Sequence, residues 1–364
     1  YLKREGLRGA YLYYDARTDD TRLTIEVIRS AVKAGAIVAN YAKVTSLIRE
    51  GSRVRGAVVQ DQLEPHNPPF PVTADVVVNA TGPWVDRIVA LDDPHAEPQL
   101  RPSKGTHLVI PADRLPLKTA VLAFSPTGDG RFVFVVPWKG AVVLGTTDTP
   151  YDDPDTVKPD KDDEAYILDA VNATFPEARL TSADVISAFA GLRPLIKAEA
   201  GTTAQLSREH RIWTSSGGMI NIAGGKLTTY RTMAAQVTDR VLRQLGRPHV
   251  PCTTHRIPLD TDRQEGIRLL ERLYPELAVP LVPGLPHTKA EVAYAAREEF
   301  AVLPDDFLAR RTRIALLDRQ HGEPQREEVA ELLRRFGRPE GAPPLAEKSR
   351  VHQAPHRSSS GPSG

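Results

Sequence analysis

Hydrophobic and polar positions in the first hundred residues follow first a helical and then an extended pattern. Apolar residues recur at helical spacing over 23–31, behind the capping residues 18–20, and Gly35 supplies a C-terminal cap. The runs that follow are rich in β-branched residues, as is typical of strands. The predicted strands are 37–44, 54–60 and the valine-rich 75–80. A helix that leads into such strands predicts an α/β layer.

From residue 104 the pattern changes to short strands separated by turns, which is typical of an antiparallel sheet. The predicted strands are 106–110, 131–137, 141–145, 184–189 and 211–214, with a helix at 162–175 and a turn at 191–194. A buried strand at 219–223 then runs through two glycines into a helix at 228–245. Amphipathic helices are predicted at 289–300, 305–317 and 326–336, and they indicate a small helical domain.

These elements predict a mixed α/β (α+β) fold with three domains and a disordered tail. The expected organisation is a partial Rossmann-like cofactor domain at 1–102, completed by a returning strand and helix at 217–247; an antiparallel-sheet substrate domain at 103–216; a helical domain at 255–336; and a tail at 337–364.

Charge and composition exclude several classes of function. The 364 residues carry 47 Lys and Arg against 46 Asp and Glu, a formal charge of +1, so no global field attracts nucleic acid. The histidines are scattered, and no zinc-protease, Cys-x-x-Cys or serine-hydrolase motif occurs, so we expect no metal site. The single cysteine, Cys252, favours a reducing cytoplasmic setting.

Two strand-to-helix turns carry the candidate chemistry. In the first, a valine-rich strand runs into Ala80-Thr81-Gly82-Pro83-Trp84, where Gly82 permits close backbone approach; an ordinary βα connection is an equal alternative. In the second, Gly224-Gly225-Lys226 opens a helix whose free N–H groups can hold an anion, although Lys226 can also be a solvated lysine. Neither turn is a phosphate-cradling P-loop, and no Gly-x-Gly-x-x-Gly signature occurs.

Several motifs, in one order, resemble the FAD-dependent glycerol-3-phosphate dehydrogenases. They are YLYYD at 11–15, TDDTRL at 18–23, VNATGPW at 78–84, SKGTH at 103–107, VPW at 136–138, GTTDT at 145–149, AGLRPL at 190–195, SREH at 207–210 and GGKLTTYR at 224–231. The resemblance extends over 9–245, and residues 291–318 resemble the C-terminal helical domain of that family. The N-terminal dinucleotide signature of the family would precede Tyr1, so we expect the chain to lack that segment.

The resemblance implies oxidation of sn-glycerol 3-phosphate to dihydroxyacetone phosphate, with hydride passing to FAD and electrons to a quinone. It implies catalytic roles for His107, Arg193 and Lys226, and substrate binding by Arg193, Arg208, Lys226 and Asp148. The implied cofactor-binding residues are Ala80, Thr81, Gly82, Trp84, Gly224, Gly225, Lys226, Leu227 and Thr228. Arginine forks suit a phosphate dianion. Structural roles stay open as alternatives: a satisfied strand histidine at 107, an ion pair of Arg208 with Glu209, and a turn residue at 148.

Three other functions remain open. A glycerophosphate oxidase would share most of these motifs, and an amine or amino-acid oxidase would need one carboxylate-binding arginine and an apolar pocket. The third is an inactive fragment that does not hold FAD. From the family we also expect peripheral association with the inner face of the cell membrane, and a homodimer is an open alternative to a monomer.

Overall fold

Among the described residues up to 258, single helices alternate with groups of strands. The described residues beyond 258 contain helices and no strands. The computed structural model describes residues 2–128, 130–197, 209–259 and 262–337. Its helices are α1 (Asp20–Lys33), α2 (Val85–Asp92), α3 (Lys161–Thr174), α4 (Tyr230–Gln244), α5 (Arg263–Leu273), α6 (Lys289–Glu298), α7 (Pro304–Leu308), α8 (Ile314–Leu317) and α9 (Arg326–Phe336). Its strands are β1 (Ala42–Glu50), β2 (Arg53–Asp61), β3 (Phe70–Thr73), β4 (Val78–Asn79), β5 (Ser103–Pro111), β6 (Val121–Phe124), β7 (Phe132–Trp138), β8 (Ala141–Gly145), β9 (Thr149–Pro150), β10 (Ser187–Arg193), β11 (His210–Thr214) and β12 (Ile220–Gly224).

The chain forms two compact units. The first contains Tyr1–Tyr14 and Ala39–Pro258, with all the strands named above; the second contains Asp15–Val38 and Leu259–Gly364. The predicted class, a mixed α/β fold with an antiparallel sheet and a C-terminal helical part, is confirmed. The finer division of the first unit into cofactor and substrate domains stays a prediction, and the predicted tail lies outside the described residues from 338 onward.

The largest sheet has the strand order β10-β5-β8-β7-β6, and its neighbouring strands are antiparallel. Helix α3 packs on one face of it. This helix begins with a capping box in which Asp160 accepts from the backbone of Asp163, and its apolar positions Ile167 and Val171 are fully buried. They meet Leu108 of β5 in one core, and burial of each such side chain contributes about 2 kcal/mol.

A smaller sheet has the order β11-β12-β4, with β12 parallel to β4. The pairs are Ile220 with Val78 and Asn221 with Asn79. The amide of Asn79 donates to Oδ1 of Asn221 at 2.9 Å and to the carbonyl of Val85 at 3.0 Å, which ties both strands to the start of α2. A third sheet, β1-β2-β3, is antiparallel throughout.

The second unit joins α1 to the helices that follow residue 262. Asp19 caps α1 by accepting from the backbone of Arg22, and on the same helix Nη2 of Arg29 lies 3.0 Å from Oδ1 of Asp262. The apolar core of this unit contains fully buried residues of α6, α7 and α9. Its centre also buries a carboxylate, that of Glu299, which accepts from Arg22 at 2.5 Å and Arg263 at 3.0 Å.

Two predicted strands of the first unit are wrong in extent. The strand predicted at 37–44 begins only at Ala42, because Tyr41 has a left-handed backbone (φ 56°) that interrupts the extended chain. The strand predicted at 75–80 is reduced to Val78–Asn79. Its pairing with β12 covers only those two residues, and Val78 is exposed rather than buried.

Two other predictions failed where local sequence signals misled. The turn predicted at 191–194 is wrong, since β10 pairs with β5 as far as Arg193 and the arginine therefore sits on a strand. The helix predicted at 305–317 divides into α7 and α8, because Arg313 takes a left-handed conformation (φ 68°). Helix α5 was not predicted.

Candidate active site

The two faces of β5 have different neighbours. Side chains alternate along a strand, and directly paired residues of antiparallel strands point to the same side of the sheet. Lys104, Thr106 and Leu108 point towards α3, as the contacts of Thr106 with Asp163 and of Leu108 with the α3 core show. Ser103, Gly105 and His107 therefore point to the opposite face, which we call the site face.

Arg193 lies on the site face, because it pairs with Ser103. Its Nη2 atom donates to Oγ1 of Thr146 at 3.0 Å and to the carbonyl of Thr147 at 3.1 Å. The guanidinium lies directly over Gly105, where an added Cβ would collide with Nη2 and Cζ of the arginine. The guanidinium of Arg193 is thus held by two acceptors, and it occupies space that is available only because residue 105 is a glycine.

A carboxylate lies beside this cation. Oδ1 of Asp148 is 3.7 Å from Nη1 of Arg193, and it also accepts a hydrogen bond from the hydroxyl of Ser103. The backbone carbonyl of Asp148 accepts from Arg131 at 3.0 Å. A carboxylate repels a phosphate dianion but can accept from an alcohol. In the predicted substrate role, Asp148 would therefore contact a hydroxyl group.

His107 lies two positions along β5 from Gly105, on the same face. Its ring stacks on Phe189 with a centroid distance of 4.9 Å and an interplanar angle of 10°. On its other side it pairs with Gly145, and a Cβ there would collide with the imidazole. His107 and Arg193 thus lie on one sheet face, and the catalytic and binding roles predicted for them stay predictions.

The first candidate cofactor turn follows β4. Gly82 has φ 59°, and an added Cβ would meet open space, so the backbone can be approached there. Ala80 and Thr81 are exposed, and the hydroxyl of Thr81 donates to Oδ1 of Asn79 at 2.7 Å. The half-exposed Trp84 uses its indole N–H in a 2.7 Å bond to Asp155.

The second turn follows β12. Gly224 and Gly225 have φ of 76° and 80°, and a Cβ on Gly225 would collide with the sulfur of Met233. Lys226 precedes a 3₁₀ turn at Leu227–Thr229 that leads into α4. Lys226, Leu227 and Thr228 are exposed, so this helix entrance is open to a ligand.

The two turns and the site face belong to the same unit and are linked through one short segment. Leu100 forms an antiparallel bridge with Ile196, three residues after Arg193. A Cβ on Gly224 would lie 3.0 Å from Cγ1 of Ile196. Leu100 also packs in a small core with Val85 and Ala223, which flank the two turns. The segment that follows Arg193 therefore packs against the turn that carries Lys226.

One predicted site residue, Arg208, falls outside the described residues, and three polar residues behind the site were not predicted from the sequence. Lys104, Thr147 and Asp163 were assigned no role, yet they form a buried polar network behind the site face. No sequence signal marked Lys104, because its neighbours Ser103 and Thr106 are also polar and it precedes the predicted strand at 106–110. Among the described residues, no cluster of acidic, histidine or cysteine side chains is placed to hold a metal ion.

Comparison with protein families gives two matches that together cover most of the chain. A model described as FAD dependent oxidoreductase matches residues 2–231. A model described as the C-terminal domain of alpha-glycerophosphate oxidase matches residues 253–336.

Individual relatives agree with these matches. The chain is 37% identical to the aerobic glycerol-3-phosphate dehydrogenase of Bacillus subtilis (strain 168), over 85% of this chain and 63% of the relative. It is 41% identical to the protein of the same name from Staphylococcus aureus (strain USA300), over 70% of this chain and 46% of the relative. The chain therefore matches about half to two-thirds of the length of these curated relatives.

A solved structure is also similar. The glycerol-3-phosphate dehydrogenase from Bacillus halodurans, complexed with FAD, superposes with a TM-score of 0.77 at 34% identity. The superposition covers 96% of this chain and 74% of that one. The resemblance inferred from the motifs is confirmed.

Proposed function

The chain belongs to the family of FAD-dependent oxidoreductases, and on this basis we propose that it binds FAD and oxidises sn-glycerol 3-phosphate to dihydroxyacetone phosphate. One observation carries the proposal. A guanidinium fixed by Thr146 and Thr147 lies on the same sheet face as an imidazole, His107. A phosphate needs the first group and an alcohol that loses a proton needs the second.

The residues present fit a dinucleotide cofactor. In open α/β sheets, ligands bind beyond the carboxyl ends of parallel strands, and both candidate turns leave the parallel pair β4 and β12 at that end. Gly82 offers an open backbone there, and the N–H groups at the start of the helical segment after Lys226 suit a pyrophosphate. Trp84 and Leu227, 39% and 46% exposed, supply apolar surface for flat rings.

Different residues of this chain have different roles in the proposed reaction. In this proposal the guanidinium of Arg193 binds the phosphate, while its Nη2 stays on Thr146 and Thr147. This places the alcohol end of the substrate along β5, where a ring nitrogen of His107 takes the hydroxyl proton. Lys226 adds a second positive charge to the site. When bound, FAD supplies the acceptor for the hydride that leaves the carbon.

Anaerobic mixing with substrate tests the proposal. Protein loaded with FAD is mixed with glycerol 3-phosphate, glycerol or glycine. The absorbance of the oxidised flavin at about 450 nm is then followed. We expect bleaching by glycerol 3-phosphate, with dihydroxyacetone phosphate as the product. Bleaching by glycine in place of glycerol 3-phosphate would contradict the proposal and indicate an amino-acid oxidase.

The electron acceptor is a separate part of the proposal. We propose that electrons pass to a quinone at the inner face of the cell membrane, as the family resemblance implies. The relatives named aerobic glycerol-3-phosphate dehydrogenase support the dehydrogenase part of this proposal. In the described part of the chain, no helix has the length and apolarity needed to span a bilayer. Reduction of a soluble quinone without peroxide release is the expected result, whereas stoichiometric peroxide would indicate an oxidase.

A further inference from the structure

A buried polar network lies on the α3 side of the main sheet, behind Arg193. Its members are Lys104, Thr106, Thr147 and Asp163, each at most 4% exposed. Buried charges and hydroxyls are costly unless they find partners, so a network of this kind is fixed in one arrangement. None of these side chains lies on the site face.

Asp163 is the centre of the network. Its Oδ2 atom accepts from the hydroxyl of Thr106 at 2.8 Å and from Nζ of Lys104 at 2.7 Å. The same atom accepts from the backbone of Asp160 at 3.2 Å, which closes the capping box of α3. Its Oδ1 atom accepts from the hydroxyl of Thr147 at 2.8 Å. Both carboxylate oxygens are therefore engaged.

The charge of Lys104 matches this arrangement. Burial lowers the pKa of Lys104, but hydrogen bonds and charge from Asp160 and Asp163 outweigh it, and the pKa lies above its ordinary value. The hydrogen bond from Lys104 is also the largest cause that holds the pKa of Asp160 below its usual range. The network thus contains a charged lysine between two carboxylates.

Thr147 connects the network to the site face. Its hydroxyl donates to Asp163 and accepts from the backbone N–H of Thr106 at 3.0 Å, so its position is set from the α3 side. Its carbonyl, on the other side, accepts from Nη2 of Arg193 at 3.1 Å. The neighbouring Thr146 supplies the second acceptor for the same atom, at 3.0 Å. A single residue therefore transmits the position of Asp163 to the guanidinium.

We propose that Asp163 is a positioning residue for Arg193, which it orients through Thr147, so that the guanidinium meets the phosphate of the substrate. This inference rests on the proposed function, in which Arg193 binds that phosphate. It assigns the helix behind the sheet a part in substrate affinity, although no atom of α3 lies on the site face. The fixed guanidinium loses less conformational entropy on binding than a mobile one.

The hydroxyl of Thr147 gives the sharpest test. Thr147→Val keeps the volume but removes both the donor to Asp163 and the acceptor for the backbone N–H of Thr106, whereas Thr147→Ser keeps the hydroxyl. In the FAD-loaded protein, KM and kcat for glycerol 3-phosphate are measured with a dye acceptor, and the dissociation constant of inorganic phosphate is measured by calorimetry. We expect Thr147→Val to raise both KM and that dissociation constant about tenfold with a much smaller change in kcat, and Thr147→Ser to restore them.

A double-mutant cycle separates positioning from general stabilisation. Asp163→Asn and Arg193→Lys are measured alone and together, with the exposed Asp169→Asn of the same helix as the control. We expect each single variant to weaken phosphate binding about tenfold or more, the double variant to be no weaker than Arg193→Lys, and the control to leave phosphate binding unchanged.

The outcomes that overturn the inference are distinct from failure of the proposed function. If Arg193→Lys weakens phosphate binding while Asp163→Asn and Thr147→Val only lower the melting temperature, the network stabilises the fold and the inference is wrong. Additive losses of phosphate affinity in the double-mutant cycle would likewise show that Asp163 does not position Arg193. If Arg193→Lys itself leaves phosphate binding unchanged, the proposed function fails, and the inference fails with it.

Discussion

Replacement of Glu291 by glutamine removes a buried charge from the second unit. Glu291 lies in the first turn of α6 and is 8% exposed. Its carboxylate accepts from Nη2 of Arg263 at 2.6 Å and lies 3.2 Å from Nδ1 of His287. The change keeps the size of the side chain and its place in the capping box of α6, so the lost charge is the main perturbation.

The pKa of Glu291 gives the magnitude. Burial raises it, but the hydrogen bond with His287 and the charges of Arg263 and His287 outweigh burial and lower it from 4.5 to about 2. At about 1.4 kcal/mol for each pKa unit, the ionised form stabilises the folded state by about 3 kcal/mol. Because the folded pKa is the lower one, this contribution is complete above pH 4.5 and disappears as the pH falls towards 2.

Hydrogen exchange of the α6 amides measures this free energy locally. Tryptophan fluorescence would not report on the second unit, because all three tryptophans lie in the first unit. At pH 7 we expect Glu291→Gln to reduce protection by about a hundredfold, which corresponds to about 3 kcal/mol. Glu331→Gln, on the exposed face of α9, is the matched control and should change protection less than about threefold. Equal protection in the two variants would refute the assignment of the stabilisation to this ion pair.

Three further predictions concern glycines that leave room for a neighbouring side chain. Gly105→Ala displaces the guanidinium of Arg193 and should weaken inorganic phosphate binding about tenfold or more, as calorimetry would show; unchanged binding would contradict the geometry. Gly145→Ala displaces His107 and should lower kcat about a hundredfold while phosphate binding persists, and loss of phosphate binding instead would contradict it. Gly225→Ala is strained at φ 80° and collides with Met233, so the purified protein should retain less FAD by absorbance, and full retention would count against this turn as a cofactor site.

The sequence correctly predicted the helices and strands that depend mainly on their own residues. The capping residue Asp19 and the following Gly35 bound α1 closely, and the β-branched run at Arg53–Asp61 forms β2 as expected. Paired strands with turn signals between them gave the antiparallel sheet. In each case the signal is local and the structure adds no competing contact.

Tertiary pairing determined what the sequence did not predict. Gly191 and Pro194 indicate a turn, but β5 is long enough to pair with β10 as far as Arg193. The placement of His107 and Arg193 on one face depends on that register, which spacing along the chain does not reveal. Lys104 and Asp163 lie 59 residues apart, and only the packing of α3 against β5 brings them together.

The proposed function depends on recognition of the substrate phosphate by Arg193, on the sheet face that carries His107. The most direct test compares kcat/KM for glycerol 3-phosphate and for glycerol in the unchanged protein and in Arg193→Gln. We predict that the variant loses about a hundredfold or more with glycerol 3-phosphate and little with glycerol, so that the preference for the phosphate collapses. If Arg193→Gln kept the preference of the unchanged protein for glycerol 3-phosphate, Arg193 would not be the residue that recognises the phosphate.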